Sequence, residues 1–233
     1  MTNTVLHYFD RIARRAGAQS PTFQKRHGDS FNIQEISFFR AAVESAEYFD
    51  QCFGATPAFE SDLDLLTATI SQANPKGLFL EFGVATGRSI RHIADLVGFP
   101  IYGFDSFEGL PEDWRTGFAR GKFAMNAPEV PANVSLVKGW FSDTLPEFLL
   151  QHPEAVSFLH IDCDLYSSTK CVFDLLSDRI LSGTVIQFDE YWNYPAWKEH
   201  EFRAFEELKL SRNLSCKPIG YVPNHQQVAF IVE

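Results

Sequence analysis

No run of apolar residues in this chain approaches the roughly 18 needed to span a bilayer, and no early segment has the length of a signal-peptide core. Membrane insertion and export are both unsupported, and a cytoplasmic protein is expected. Cysteine is scarce. Four are present in 233 residues, Cys52, Cys163, Cys171 and Cys216, without the close pairing of a zinc knuckle. They are expected to be free thiols in a reducing compartment. Positive charge is short as well, with 20 Lys and Arg against 30 Asp and Glu, a formal net charge of −10. That deficit argues against a nucleic-acid partner, because phosphate recognition depends on clustered cations. The locally basic stretch from Arg11 to His27 (Arg11, Arg14, Arg15, Lys25, Arg26) reads as a solvated helix face. No shift in composition marks a linker, so residues 1–233 read as one domain.

What is abundant is apolar and aromatic. Hydrophobic residues make up 45% and Phe alone numbers 23, enough for a substantial core and for an aromatic-lined cavity. Val5, Tyr8, Phe9 and Ile12 recur at helical spacing, Ile33–Phe53 reads as a second helix, and Phe59, Leu63, Leu66 and Ile70 continue the pattern. Gly17–Asp29 reads as a polar connection. Residues 1–76 are thus expected to be a helical cover over the core at 77–233, and a candidate homodimer surface. After the breaker Asn74-Pro75-Lys76-Gly77 the rhythm changes to short apolar runs alternating with helical patterns, the mark of βαβ units. Strands are expected at Leu78–Phe82, Ile101–Phe104, Val134–Val137, Val156–Ile161 and Thr184–Phe188. The helix after the first strand is marked by Ile90, Ile93, Ala94 and Val97. Thr144-Leu145-Pro146-Glu147 resembles a capping box for the helix after the third, and Ser167 a cap for the next. A helix near Trp197–Leu210 leads to two last strands, Ser215–Tyr221 and Gln227–Val232. The fold class is therefore α/β: a doubly wound, mostly parallel seven-stranded sheet with a terminal antiparallel hairpin and an N-terminal helical extension.

The first strand runs into Glu81-Phe82-Gly83-Val84-Ala85-Thr86-Gly87-Arg88-Ser89, an acid, a glycine-bearing turn and a helix start. Gly83 and Gly87 allow a tight backbone, and the helix N-terminus offers amides to a carboxylate. The spacing is not that of a dinucleotide turn, and Glu81 would repel a pyrophosphate while attracting the amino group of a methionine moiety. Asp105 follows Gly83 by 22 residues, near the offset at which an acid reaches a ribose diol. The fourth and fifth strands end in Asp162-Cys163-Asp164 and Asp189-Glu190. Four carboxylates at one sheet edge need compensation, and a hard divalent cation such as Mg²⁺ provides it. His160 and His200 are rival bases. His160 is expected to point away from the neighbours of Asp162, and His200 to lie solvated on a helix.

Four segments together resemble the macrocin O-methyltransferase family, over roughly Leu78–Leu208. They are Glu81–Ser89, Gly103-Phe104-Asp105-Ser106-Phe107-Glu108-Gly109-Leu110-Pro111, Gly139-Trp140-Phe141-Ser142-Asp143-Thr144-Leu145-Pro146 and His160-Ile161-Asp162-Cys163-Asp164-Leu165-Tyr166. The resemblance implies a Rossmann-like methyltransferase that transfers a methyl group from S-adenosylmethionine to a small-molecule hydroxyl on a sugar, polyketide-like or phenolic acceptor. It implies Asp162, Asp189 and Glu190 as Mg²⁺ ligands and Asp164 as general base beside Asp162. It also implies Glu81, Gly83, Ser89 and Asp105 around the methionine and ribose, with Trp140 or Phe141 beside the adenine. Thr86, Gly87, Ser106 and Asp162 complete the candidate cofactor set. The fifth strand ends in Asp-Glu where that family often has Asp-Asp. Glu112–Pro131 and the N-terminal helices have no residue-by-residue counterpart, and such segments set acceptor choice. Three other readings stay open at this point: a methyltransferase without metal, a non-catalytic S-adenosylmethionine-binding module, and a nicotinamide oxidoreductase.

Overall fold

A computed structural model describes residues 32–233. The stripe Val5, Tyr8, Phe9 and Ile12, the basic segment and the connection Gly17–Asp29 lie outside the described residues. The chain divides into two compact units, Met1–Phe39 and Arg40–Glu233. Of the first, the described part is the opening of helix α1 (Ile33–Cys52), and the rest of the architecture belongs to the second.

Seven strands form one sheet: β1 (Leu78–Phe82), β2 (Ile101–Asp105), β3 (Val134–Lys138), β4 (Val156–Ile161), β5 (Ile180–Phe188), β6 (Cys216–Tyr221) and β7 (Val228–Val232). Their order is β3-β2-β1-β4-β5-β7-β6. The first five run parallel, and β7 is antiparallel to both β5 and β6. This is the Rossmann-like sheet expected from the sequence. Winding reverses between β1 and β4, so a crevice opens beyond the carboxyl ends of those two strands, where open α/β sheets bind ligands.

The alternation of side chains along β1 explains the layering. Leu78, Leu80 and Phe82 join one apolar cluster with Leu145, Phe148, Phe173 and Phe205, from helices α4 (Phe141–Gln151), α5 (Tyr166–Leu176) and α6 (Glu201–Arg212). Phe79 faces the other way and packs with Leu65, Leu66, Ile90 and Ile93, from α2 (Asp62–Ile70) and α3 (Arg88–Leu96). Glu81, two residues beyond Phe79, shares that second face, and this places it beneath the start of α3. Aromatic residues fill the first cluster: Phe82 stacks on Phe104 with ring centres 4.8 Å apart, and Phe188 meets Phe205 at 5.0 Å.

Several helix starts differ from expectation. Helix α2 begins at Asp62, because Ser61 accepts the Asp64 amide (3.1 Å) as its cap, while Phe59 is held in extended chain by its amide on the Tyr221 carbonyl. Thr144 does not cap α4. That helix starts at Phe141, three residues earlier, and the Thr144 hydroxyl donates back to the Trp140 carbonyl at 3.0 Å, with Pro146 inside the helix. Ser167 lies inside α5 and donates to Glu112. The last helix splits into a short turn at Trp197–Glu199 and α6 proper. The four cysteines are free. Among the described residues no helix is long and apolar enough to cross a membrane.

Candidate active site

The turn after β1 is set by backbone crowding. Gly83 has φ +92°, and a Cβ there would fall 1.7 Å from the Asp162 carbonyl, so a side chain at this position would collide with the exit of β4. Its glycine serves the approach of two strand ends to each other. Gly87, at φ +76°, is the cap residue of α3. Asp105, at the end of β2, ties the turn down: its Oδ2 accepts the amides of Val84 (2.9 Å) and Ala85 (2.8 Å), and its Oδ1 that of Phe107 (2.7 Å). The carboxylate expected to meet a ribose thus also fixes the glycine turn. Ser106 is buried and accepts the Glu108 amide at 3.1 Å. Trp140 is the residue before α4, and Phe141 packs edge-on against Phe82 with ring centres 5.1 Å apart.

Beneath the turn lies a buried polar network. Glu81 is wholly inaccessible; its Oε1 accepts the Ser89 hydroxyl (3.1 Å), and its Oε2 lies 3.0 Å from His160 Nδ1. Burial works against the imidazolium of His160, but the hydrogen bond and charge of Glu81 outweigh it and raise the pKa. His160 lies on the same face as Asp162. Residues two apart in an extended chain share a face, and both line the same cavity.

That cavity, about 380 Å³, is lined by Val84, Ala85, Thr86 and Ser89 from the turn, His160, Asp162 and Asp189 from the strand ends, and Glu60, Ser61, Asp62, Arg88, His225 and Gln227 around them. Glu81, Gly83, Gly87, Asp105, Ser106, Trp140, Phe141, Asp164 and Glu190 stand outside this lining. None of the lining residues is Phe, Tyr or Trp, so the expected aromatic-lined cavity is absent here; the aromatics went into the core. Arg88 is paired with Asp62 at the rim.

The strand-end acids converge. Asp162, Asp189 and Glu190 each offer one carboxylate oxygen within 4.8 Å of the others. Glu190 Oε2 is buried with no hydrogen-bond partner, and Asp189 Oδ1 accepts from Gln227 Nε2 at 3.0 Å. Burial first, then mutual repulsion, pushes the carboxyls of Asp162 and Glu190 well above the usual range. A buried oxygen without a donor, inside a set of three hard ligands, fits a divalent cation. Asp164 leaves β4 in a left-handed conformation (φ +63°), within a turn closed by the Leu165 amide on the Cys163 carbonyl at 2.6 Å. It is 7% exposed; burial raises its pKa to about 7, with Arg115 opposing and Asp189 adding.

The sequence reading missed the residue that holds these exits together. Glu201, in the first turn of α6, is wholly buried; its Oε1 accepts the amides of Cys163 (3.3 Å) and Asp164 (3.1 Å), and its Oε2 that of Glu190 (3.2 Å). One carboxylate thereby spans the exits of β4 and β5. Burial and the charges of Asp164 and Asp189 raise its pKa, while the amide bonds oppose the rise. Arg115 and Gln227 were missed as well. His200 is half-buried beside Trp114 and Tyr194 rather than solvated, and burial together with Arg115 lowers its pKa.

Residues 80–191 match a family model described as a methyltransferase domain. No curated protein matches the chain. Among solved structures, CalS11, a calicheamicin methyltransferase, is 24% identical, with a TM-score of 0.60 over 73% of this chain and 78% of that one. The O-methyltransferase NovP is 19% identical, with a TM-score of 0.52 over 72% and 78%. An O-methyltransferase from Bacillus cereus, in complex with S-adenosylhomocysteine (SAH), is 15% identical, with a TM-score of 0.50 over 91% and 96%. At these identities the likeness is one of fold. With the glycine turn, the switch-point crevice and the matched domain together, the protein is an S-adenosylmethionine-dependent methyltransferase.

Proposed function

We propose that this enzyme is a Mg²⁺-dependent O-methyltransferase of the macrocin O-methyltransferase type, acting on a hydroxyl of a small molecule. The observation that carries the reading is the triad Asp162, Asp189 and Glu190, three converging carboxylates with one buried, unpartnered oxygen. Two fold neighbours support a hydroxyl acceptor: CalS11 is described as a TDP-rhamnose 3'-O-methyltransferase of calicheamicin biosynthesis, and NovP as an O-methyltransferase.

S-adenosylmethionine supplies the electrophilic methyl group, and Mg²⁺ supplies a Lewis acid that lowers the pKa of the acceptor hydroxyl and orients it. The chain does the rest. Asp105 locks the glycine turn, Ser89 and His160 line the cavity where the methionine end of the cofactor would lie, with Glu81 buried behind them, and Trp140 and Phe141 would meet the adenine beyond that lining. Asp162, Asp189 and Glu190 would hold the cation. Asp164, buried at the exit of β4, would take the hydroxyl proton at its carboxylate.

Asp162→Ala tests this reading. Mn²⁺ binding followed by electron paramagnetic resonance, and turnover with an acceptor panel, are expected to vanish together. Full activity of wild type after exhaustive chelation would reject the metal.

A further inference from the structure

We propose that Arg115, with Trp114 and His200, forms an anion subsite that takes a carboxylate or phosphate group carried by the methyl acceptor. The proposal deepens the methyltransferase reading and rests on it for placing the acceptor on the Asp164 side of the acids.

The segment that carries Arg115 has no counterpart in the motifs of the core, yet it is a built structure. The Trp114 amide donates to the Phe118 carbonyl (2.9 Å), and the Phe118 amide returns to Arg115 (2.8 Å) across a turn that contains Gly117 at φ +87°. The half-buried guanidinium is gripped by three rings: its Cζ lies 3.8 Å from the centre of Trp114, 4.7 Å from Phe118 and 4.8 Å from Tyr194. Stacking of this kind fixes the plane of the fork without using its N–H groups. Arg115 Nε is buried without a hydrogen-bond partner, and so are Trp114 Nε1 and His200 Nδ1. The rings that carry the last two lie 6.1 Å apart, and both flank Tyr194.

The unpartnered N–H groups of the guanidinium and the Trp114 indole call for an acceptor of hydrogen bonds, His200 Nδ1 adds a third donor in the tautomer that carries its proton there, and a planar or tetrahedral oxyanion satisfies several donors at once. Lys122, 5.8 Å from the Phe118 ring, adds a second cation near the same ring. Tyr194, one of the three rings against Arg115, donates its hydroxyl to the Glu190 carbonyl at 3.2 Å, so the guanidinium packs on the segment that leaves the acid-bearing end of β5. An anion held by Arg115 would therefore position its own molecule beside the acids. The rival explanation is that Arg115 only balances the charge of Asp164.

Three probes on one sugar skeleton separate these: methyl glucoside, methyl glucuronide and glucose 1-phosphate, titrated calorimetrically into SAH-saturated protein without metal. SAH saturation is verified first; its failure would sink the methyltransferase reading, whereas the charge preference is read independently of both metal and turnover. The wild type is expected to bind a charged probe about tenfold or more tightly than the neutral one, and the stronger of the two anions identifies the group. Arg115→Met should erase the preference and leave SAH affinity unchanged, and Arg115→Lys should restore part of it. Trp114→Phe, which removes the indole N–H together with part of the ring surface under the guanidinium, should weaken the charged probe by itself. Equal affinity for charged and neutral sugars, absence of binding by any of them, or an Arg115→Met protein that keeps the preference overturns the proposal.

Discussion

Replacing Glu201 tests whether one carboxylate sets the geometry of the acid-bearing strand exits. The change Glu201→Ala removes the acceptor for three amides, those of Cys163, Asp164 and Glu190, in a place with no solvent access. Each buried donor left unsatisfied costs about 1–3 kcal/mol. Such losses are not additive where one cavity lets water reach several donors, so the total is placed at about 3–5 kcal/mol. For a domain of this size each kcal/mol moves Tm by about 2–4 °C, which gives a fall of about 6–20 °C by scanning calorimetry. Glu201→Gln keeps one carbonyl oxygen but turns an amide N–H₂ toward a backbone N–H, at a cost of about 1–3 kcal/mol. Both variants should need several-fold more Mg²⁺ for half-maximal Mn²⁺ displacement, because Asp162 and Glu190 are no longer held in fixed relation. SAH affinity should barely change, since Glu201 does not line the cavity. An alanine variant with unchanged Tm and unchanged metal affinity would refute the reasoning.

Other outcomes follow from the same geometry. Asp105→Ala frees the amides of Val84 and Ala85 and should weaken SAH binding about tenfold or more in calorimetric titration; wild-type affinity would show that the turn holds without it. Gly83→Ala puts a methyl group on the Asp162 carbonyl and should cost both SAH and metal binding, whereas a folded variant with normal affinities would contradict the close approach. The metal-free protein should lose stability as pH rises. Burial, helped by Asp189 and opposed by Arg115, raises the folded-state pKa of Asp164 to about 7, against about 3.9 when unfolded, so its contribution is fully present below pH 4 and is lost as pH rises through 7. Asp162, Glu190 and Glu201 shift in the same direction. Cation and protons compete for the same oxygens, so the Tm gain on adding Mg²⁺ should grow from pH 5.5 to 8; a gain that shrinks with pH would speak against these acids as the ligands.

The parts of the fold that sequence made legible are those where burial is one-sided or complete. β1 and β4, buried along their whole length, fall within the boundaries expected from their apolar runs, and the acids that follow them reach the same edge because parallel strands in register deliver their ends together. Local mimicry caused the errors. Thr144-Leu145-Pro146-Glu147 has the residues of a capping box, but α4 had already begun at Phe141. Glu201 carried no signal, being one acid in a helix rich in charge, and its partners precede it by 38, 37 and 11 residues. Arg115 sits in a segment without periodicity, so only the packed rings around it reveal that its charge is held in place.

The central claim joins a cofactor turn to an acidic metal site, and calorimetric titration of cofactor-stripped protein with SAH, with and without Mg²⁺, tests it most directly. Saturable binding that tightens in the presence of Mg²⁺ and loses that response in Asp162→Ala is the expected result. Folded protein that binds no SAH under either condition would contradict the account.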